Sequence, residues 1–212
     1  MSEITYKEKF EQLQDLLLGA FNTFYVWKAL QTEENNDVYK EDGNFWSVVI
    51  PALQHEWFIS LARLFEDSRF SDKGKVISVH ALIKEHPNST KVKDAKEFIQ
   101  KNDRVFKNIT RIRDLRHAHN NARFLVSPKG FEKKFELKYG ELEEIFEFAD
   151  KLLEILHPED NYGYILDHMK DEARIHTEDI IRGLRYFFNE RNKYRKRWVN
   201  GEVDGPDFPL KT

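Results

Sequence analysis

The chain has 212 residues, 40 % of them hydrophobic and 33 % charged, with no cysteine and a formal net charge of −3. That length builds one core with an extension rather than two full domains, and the missing cysteine excludes disulfides, zinc-thiolate sites and thiol nucleophiles together. The charge balance excludes a generally basic nucleic-acid coat, and the charged start "MSEITYKEKFEQ", with no apolar run near the roughly eighteen residues of a membrane span, predicts a cytoplasmic protein without a membrane segment.

In chain order, Phe10, Leu13, Leu17, Phe21, Phe24 and Trp27 or Lys28 recur at the three-to-four spacing of one buried face on a long helix, interrupted only by Gly19. "QTEENNDVYKEDGN" reads as a polar loop. The run "FWSVVIPALQHEWFISLARLFED" is apolar nearly all round, which predicts a central helix covered on most sides, with Pro51 kinking it or marking its first turn. On that helix Glu56, Ser60 and Arg63 share a face at i, i+4 and i+7. Such a polar seam either fixes helix register as an internal ion pair or borders a functional cleft; Arg63 and Asp67 are also spaced as a simple i,i+4 pair.

A shorter helix, "KVISVHALIKEH", is closed by Pro87, and another begins near Val92, breaks around Asn102 and runs into "RIRDLRHAHNN", residues 111–121. "FLVSPKGFEKKFELKYG" then breaks the helical period, and its alternating "KKFELKY" suits a short hairpin arm. "ELEEIFEFADKLLEILH" is an amphipathic helix stopped by Pro158, and the segment from Tyr162 to Trp198 reads as one long or once-broken helix. The expected architecture is an all-α antiparallel bundle over 1–157, a C-terminal helical extension packed on it over 158–200, and a tail over 201–212.

Charge is unevenly placed. Residues 101–123 carry Lys101, Arg104, Lys107, Arg111, Arg113, Arg116 and Arg123 against Asp103 and Asp114, and residues 182–197 carry seven cations against Glu190 alone, while acid concentrates in 141–160. At 100° per residue Val105, Ile109, Ile112 and Leu115 form one stripe and His119 falls within it, flanked by Arg113 and Asn120. An imidazole so placed is either a satisfied core residue or one that faces a cleft between helices.

"RDLRHAH", Arg113 to His119, resembles the signature of HEPN domains, an Arg and a His separated by four to six positions at the end of a bundle helix; five intervene here. The central helix ending in "LARLFED", followed by a short helix and then the Arg–His helix, is similar to the AbiU2-like branch associated with bacterial abortive infection. The likeness spans roughly residues 10–157, with the 160–200 helix outside it as an elaboration. His117 is a second imidazole inside the motif: family spacing favours His119, whereas i,i+4 geometry pairs Arg113 with His117.

The resemblance implies a metal-independent, cofactor-free endoribonuclease in phage defence or a toxin–antitoxin system, cutting RNA by 2′-hydroxyl attack at a composite cleft of a homodimer, with an antitoxin protein as a further partner. The chemistry fits the residues. His119 would move protons, since imidazole titrates near working pH, and Arg113 would clamp the phosphate with a fork that stays charged. Asp114, His117 and Asn120 would support them, Glu56 and Arg63 would border the cleft, and Arg111, Arg116 and Arg123 would hold RNA. The alternative is a non-catalytic HEPN module that binds RNA, nucleotide or a partner protein through the same groove.

Two other patterns carry chemistry. His168, Glu172 and His176 repeat at four-residue spacing, but the two imidazoles stand about 12 Å apart in helix rise, too far for one metal ion. "RGLRYFFNERNKYRKRW" interleaves seven cations with aromatic residues, a composition that suits RNA. It equally suits an amphipathic helix whose rings pack on the bundle while its cations are solvated or meet the acidic 141–160 helix, and this second arrangement is the expected one. His55, His80, His86 and His157 have no evident partners, and no glycine-rich phosphate loop, GxSxG elbow or HExxH pair is present.

Overall fold

The computed structural model describes residues 4–66, 77–109, 139–159, 166–203 and 205. These residues form an all-α structure, with no strand among them. Helix α1 spans Tyr6–Leu30; a single 3₁₀ turn, Glu33–Asn35, leads into α2, Asn36–Glu41, and then α3, Gly43–Leu64. Helix α4 is Val79–Glu85, α5 is Ser89–Lys101, and residues 103–109 form α6. Helices α7, Tyr139–Leu156, and α8, Leu166–Val199, complete the bundle.

The starts are set by side chains that satisfy free backbone N–H groups. Thr5 and Glu8 form a reciprocal capping box at α1, with the Thr5 N–H donating to Glu8 at 2.7 Å. Asn88 accepts from the N–H of Thr90 at 2.9 Å, which starts α5 at Ser89, three residues before the expected Val92. Ser78 and Asp42 cap α4 and α3 in the same way.

The five fixed apolar positions expected on α1 are buried, and of the two alternatives for the sixth Trp27 is buried while Lys28 is only half-buried. They meet α3 and α7 in a nest of rings: Phe24 lies 5.4 Å from Trp57 and 5.1 Å from Phe146, and Trp27 lies 5.5 Å from Trp57. Helices α1 and α7 run antiparallel, because the Tyr6 hydroxyl donates to the Leu156 carbonyl at one end while Lys28 pairs with Glu143 at the other. Helix α5 also opposes α7, with Phe98 stacked on Phe148 at 5.1 Å and the Lys91 amine donating to the His157 carbonyl at 2.8 Å. A second, smaller cluster of Leu30, Val38, Trp46, Ile181 and Phe188 joins α1, α2 and α3 to α8.

The structure departs from one expectation and refines two others. The polar stretch 31–44 is helical over most of its length rather than a loop, because Val38 is buried and holds α2 in the second cluster. Of the two places expected for Pro51, a kink or the first turn, the mid-helix position removes the first turn; the missing N–H leaves the Ser47 carbonyl without its usual donor. The cover expected on most sides of α3 is thinner over its first turns, where Phe45 and Val48 face outward. The C-terminal helix is unbroken from Leu166. The hairpin expected at 133–139 lies outside the described residues except for Tyr139, which is helical.

Candidate active site and basic helix

The approach to the Arg–His motif is built by α6. Helix α5 ends at Asn102, whose side-chain amide donates to the Phe98 carbonyl at 2.8 Å and whose own carbonyl accepts from the Phe106 N–H at 3.0 Å. One helix therefore stops and the next restarts on a single residue, the expected break. The predicted stripe holds over its first two members, with Ile109 buried and Val105 half-buried against the core. Phe106 packs near Phe148 and edge-on to His80, and Arg104 ties α6 to Glu141 at 3.4 Å and to Glu144. Arg111, Arg113, Asp114, Arg116, His117, His119, Asn120 and Arg123 lie outside the described residues.

On α3 the Ser60 hydroxyl donates to Glu56 at 3.3 Å. Glu56 and Arg63 are exposed, not buried, and no ion pair joins them. Two helical turns, about 10 Å of rise, separate them along α3. An internal register-fixing pair is thus overturned. Asp67 lies outside the described residues.

The histidines occupy unrelated environments. His55 and His176 are exposed. His86 is buried, its Nδ1 accepts from the Asn88 N–H at 3.0 Å, and it meets the Tyr6 ring edge-on at 4.9 Å. Burial first, and the nearby Lys91 charge second, hold the His86 ring below the usual imidazole range. Among the described residues no group of three His, Asp or Glu side chains could hold a metal ion.

The cations of α8 divide between two environments. Arg185 donates to Asp37 at 2.9 Å, to Asn35 at 3.0 Å and to the Glu34 carbonyl. Arg191 pairs with Glu41 at 3.2 Å and lies 4.7 Å over the Phe188 ring. The hydrogen bond from Arg185 holds Asp37 below the usual carboxylate range, and the same contact raises Arg185. These acids come from the stretch read as a loop. The acidic α7 is instead used elsewhere: Glu143 accepts from Lys28 at 2.6 Å and from the Tyr25 hydroxyl at 3.0 Å. Burial raises its pKa, but those two donors together with Lys28 and Lys170 outweigh it and leave it lowered. The remaining cations of residues 182–197, Arg182, Lys193, Arg195, Lys196 and Arg197, are exposed.

Two cavities flank α8. One, about 490 Å³, lies between the end of α1, the 3₁₀ turn and α8, where Lys170 sits 5.5 Å over the Tyr25 ring. The other, about 630 Å³, is an apolar groove between α1, α3 and α8 that includes Phe45, Val49 and Ile180. No helix among the described residues is long and apolar enough to cross a membrane.

No curated protein and no solved structure matches the chain. The HEPN_AbiU2 (AbiU2) family does, over residues 4–184. The match reaches well into α8, beyond the residues 10–157 that carried the resemblance, so the first part of α8 is not an elaboration outside it. The Arg–His motif, helices α1 to α7 and the first part of α8 therefore fall within the residues of one family match, and the chain belongs to the HEPN_AbiU2 family.

Proposed function

We propose that the chain is a metal-independent endoribonuclease of abortive infection or a toxin–antitoxin system, working as a homodimer in the cytoplasm. The observation that carries this reading is Arg113 and His119, with five residues between them, in sequence shortly after α6 in a chain matched to HEPN_AbiU2 over residues 4–184. The anchored α6 supports it, because a catalytic helix must be held firmly by its scaffold: Ile109 is buried and Arg104 is tied to α7.

In this reading one His119 takes the proton of the RNA 2′-hydroxyl, whose oxygen attacks the adjacent phosphorus. Arg113 neutralises the charge that builds on the phosphorane oxygens. The bond to the 5′ oxygen breaks, and that oxygen receives a proton from the second copy's imidazole, leaving a 2′,3′-cyclic phosphate and a 5′-hydroxyl. Two copies in one cleft supply acid and base from one sequence.

Purified protein incubated with mixed RNA in EDTA should cut it to cyclic-phosphate products. Arg113→Ala and His119→Ala should each lower the rate by at least about a hundredfold, the range of a positioned acid–base group, while fold and dimer persist in circular dichroism and sedimentation. His117→Ala beside His119→Ala decides which imidazole acts. RNA binding without cleavage favours the non-catalytic module, and cutting that needs magnesium rules the mechanism out.

A further inference from the structure

The basic aromatic block of α8 is two surfaces, and only one is used by the fold. Phe188 is buried, Phe187 is half-buried, and Arg185 and Arg191 turn to Asp37 and Glu41 of α2. At 100° per residue Arg182, Tyr186, Asn189, Lys193, Lys196 and Arg197 project within an arc of roughly 100° on a face about 22 Å long. All six are exposed. Tyr186 stands 71 % exposed within this arc, although its two neighbours, Phe187 and Phe188, turn toward the bundle.

We propose that this outer face of α8 is a track for single-stranded RNA. The four cations would meet successive phosphates and Tyr186 would stack on an unpaired base. Asn189 would hydrogen-bond a sugar or base edge between them. What singles Tyr186 out from the other exposed side chains of α8 is that its ring shares an arc with four cations, the combination a stacking site for a nucleic-acid strand needs. The nearby acids do not block the track. Asp179, Glu190 and Glu202 hold Arg182, Lys193 and Arg197 at 3.2, 2.6 and 3.4 Å, but these pairs are exposed and worth little, so a phosphate can replace the carboxylate. Lys196 meets no acid among the described residues. The track takes the identity of its ligand from the ribonuclease reading; its geometry is independent of it.

The test uses the full chain carrying His119→Ala, so that binding is read without turnover, and a short labelled single-stranded RNA followed by fluorescence anisotropy. Replacing Arg182, Lys193, Lys196 and Arg197 together by Gln, a good helix former, should reduce the slope of log affinity against log salt by about 3, at about 0.7 per phosphate contact. Tyr186→Ala should weaken binding by about fivefold or more and Tyr186→Phe should leave it unchanged, as stacking on a ring demands. Lys93→Gln with Lys96→Gln, exposed cations on α5, serves as the control and should change nothing. An unchanged salt slope in the quadruple variant overturns the track, as does equal binding of phosphatidylserine vesicles by the parent chain. Wild-type cleavage of RNA with unaltered binding in the quadruple variant leaves the ribonuclease reading standing and removes the track. Track-dependent binding with no cleavage by the wild-type chain does the reverse.

Discussion

His86 shows how one buried titratable group ties the ends of three helices to solution conditions. It closes α4, accepts from the N–H that precedes α5, and packs on Tyr6 at the start of α1. Its folded-state pKa is lowered by burial, so in the unfolded chain, where imidazole titrates near 6.5, it gains a proton first as pH falls. Its contribution to stability is therefore fully present above about pH 6.5 and is lost progressively as pH drops through the depressed folded value. Denaturant midpoints measured across that window should fall for the wild-type chain, and His86→Gln should flatten the decline. An equal decline in both chains would place the sensitive group elsewhere.

At the scale of elements, the clasp between α2 and α8 decides where the long helix sits. Arg185 reaches Asp37, Asn35 and the Glu34 carbonyl at once, a fork of donors that lysine cannot reproduce. Arg185→Gln should lower unfolding free energy by about 1 kcal/mol, the modest value set by partial exposure of the pair. Asp37→Asn should do the same, and the double variant should lose less than the sum, because the two residues share one interaction. Asp37's contribution is present above about pH 3.9 and is lost as pH falls through its lowered folded value, so the gap between wild type and Asp37→Asn should close in acid. This clasp was also the least legible element. A six-residue helix with a single buried side chain, Val38, has no period to read, and Glu34, Asp37 and Glu41 in a stretch of Asn, Asp and Gly look like solvated loop. The long helices were legible for the opposite reason: Phe10 through Trp27 repeat over five turns of α1, and the break at Asn102 follows from a side chain that competes for backbone carbonyls. The motif was legible only through the likeness of Arg113 and His119 to a family signature, and the exposure of Glu56 and Arg63 was not legible at all, since it depends on which neighbours cover α3.

For the whole molecule, the question is whether α8 is a separable extension or part of one cooperative unit. Its residues enter both apolar clusters: Leu166 and Ala173 join the main core with α1, α3 and α7, while Ile181 and Phe188 close the smaller one over Leu30, Val38 and Trp46. Helix α1 is common to both clusters, through Phe24 and Trp27 in one and Leu30 in the other, so loosening α8 uncovers the end of the helix on which α3 and α7 also pack. An element that shares its partner's core in this way has no independent transition. Calorimetric unfolding of the full chain should therefore give one peak, with calorimetric and van't Hoff enthalpies equal, and a chain ending at Pro158 should lose its near-ultraviolet dichroism, because Trp46 and Trp27 no longer sit in fixed surroundings. If the shortened chain instead keeps that signal, or the full chain melts in two steps, residues 158–200 are an appendage, and a basic track on them could be removed without touching the bundle that carries Arg113 and His119.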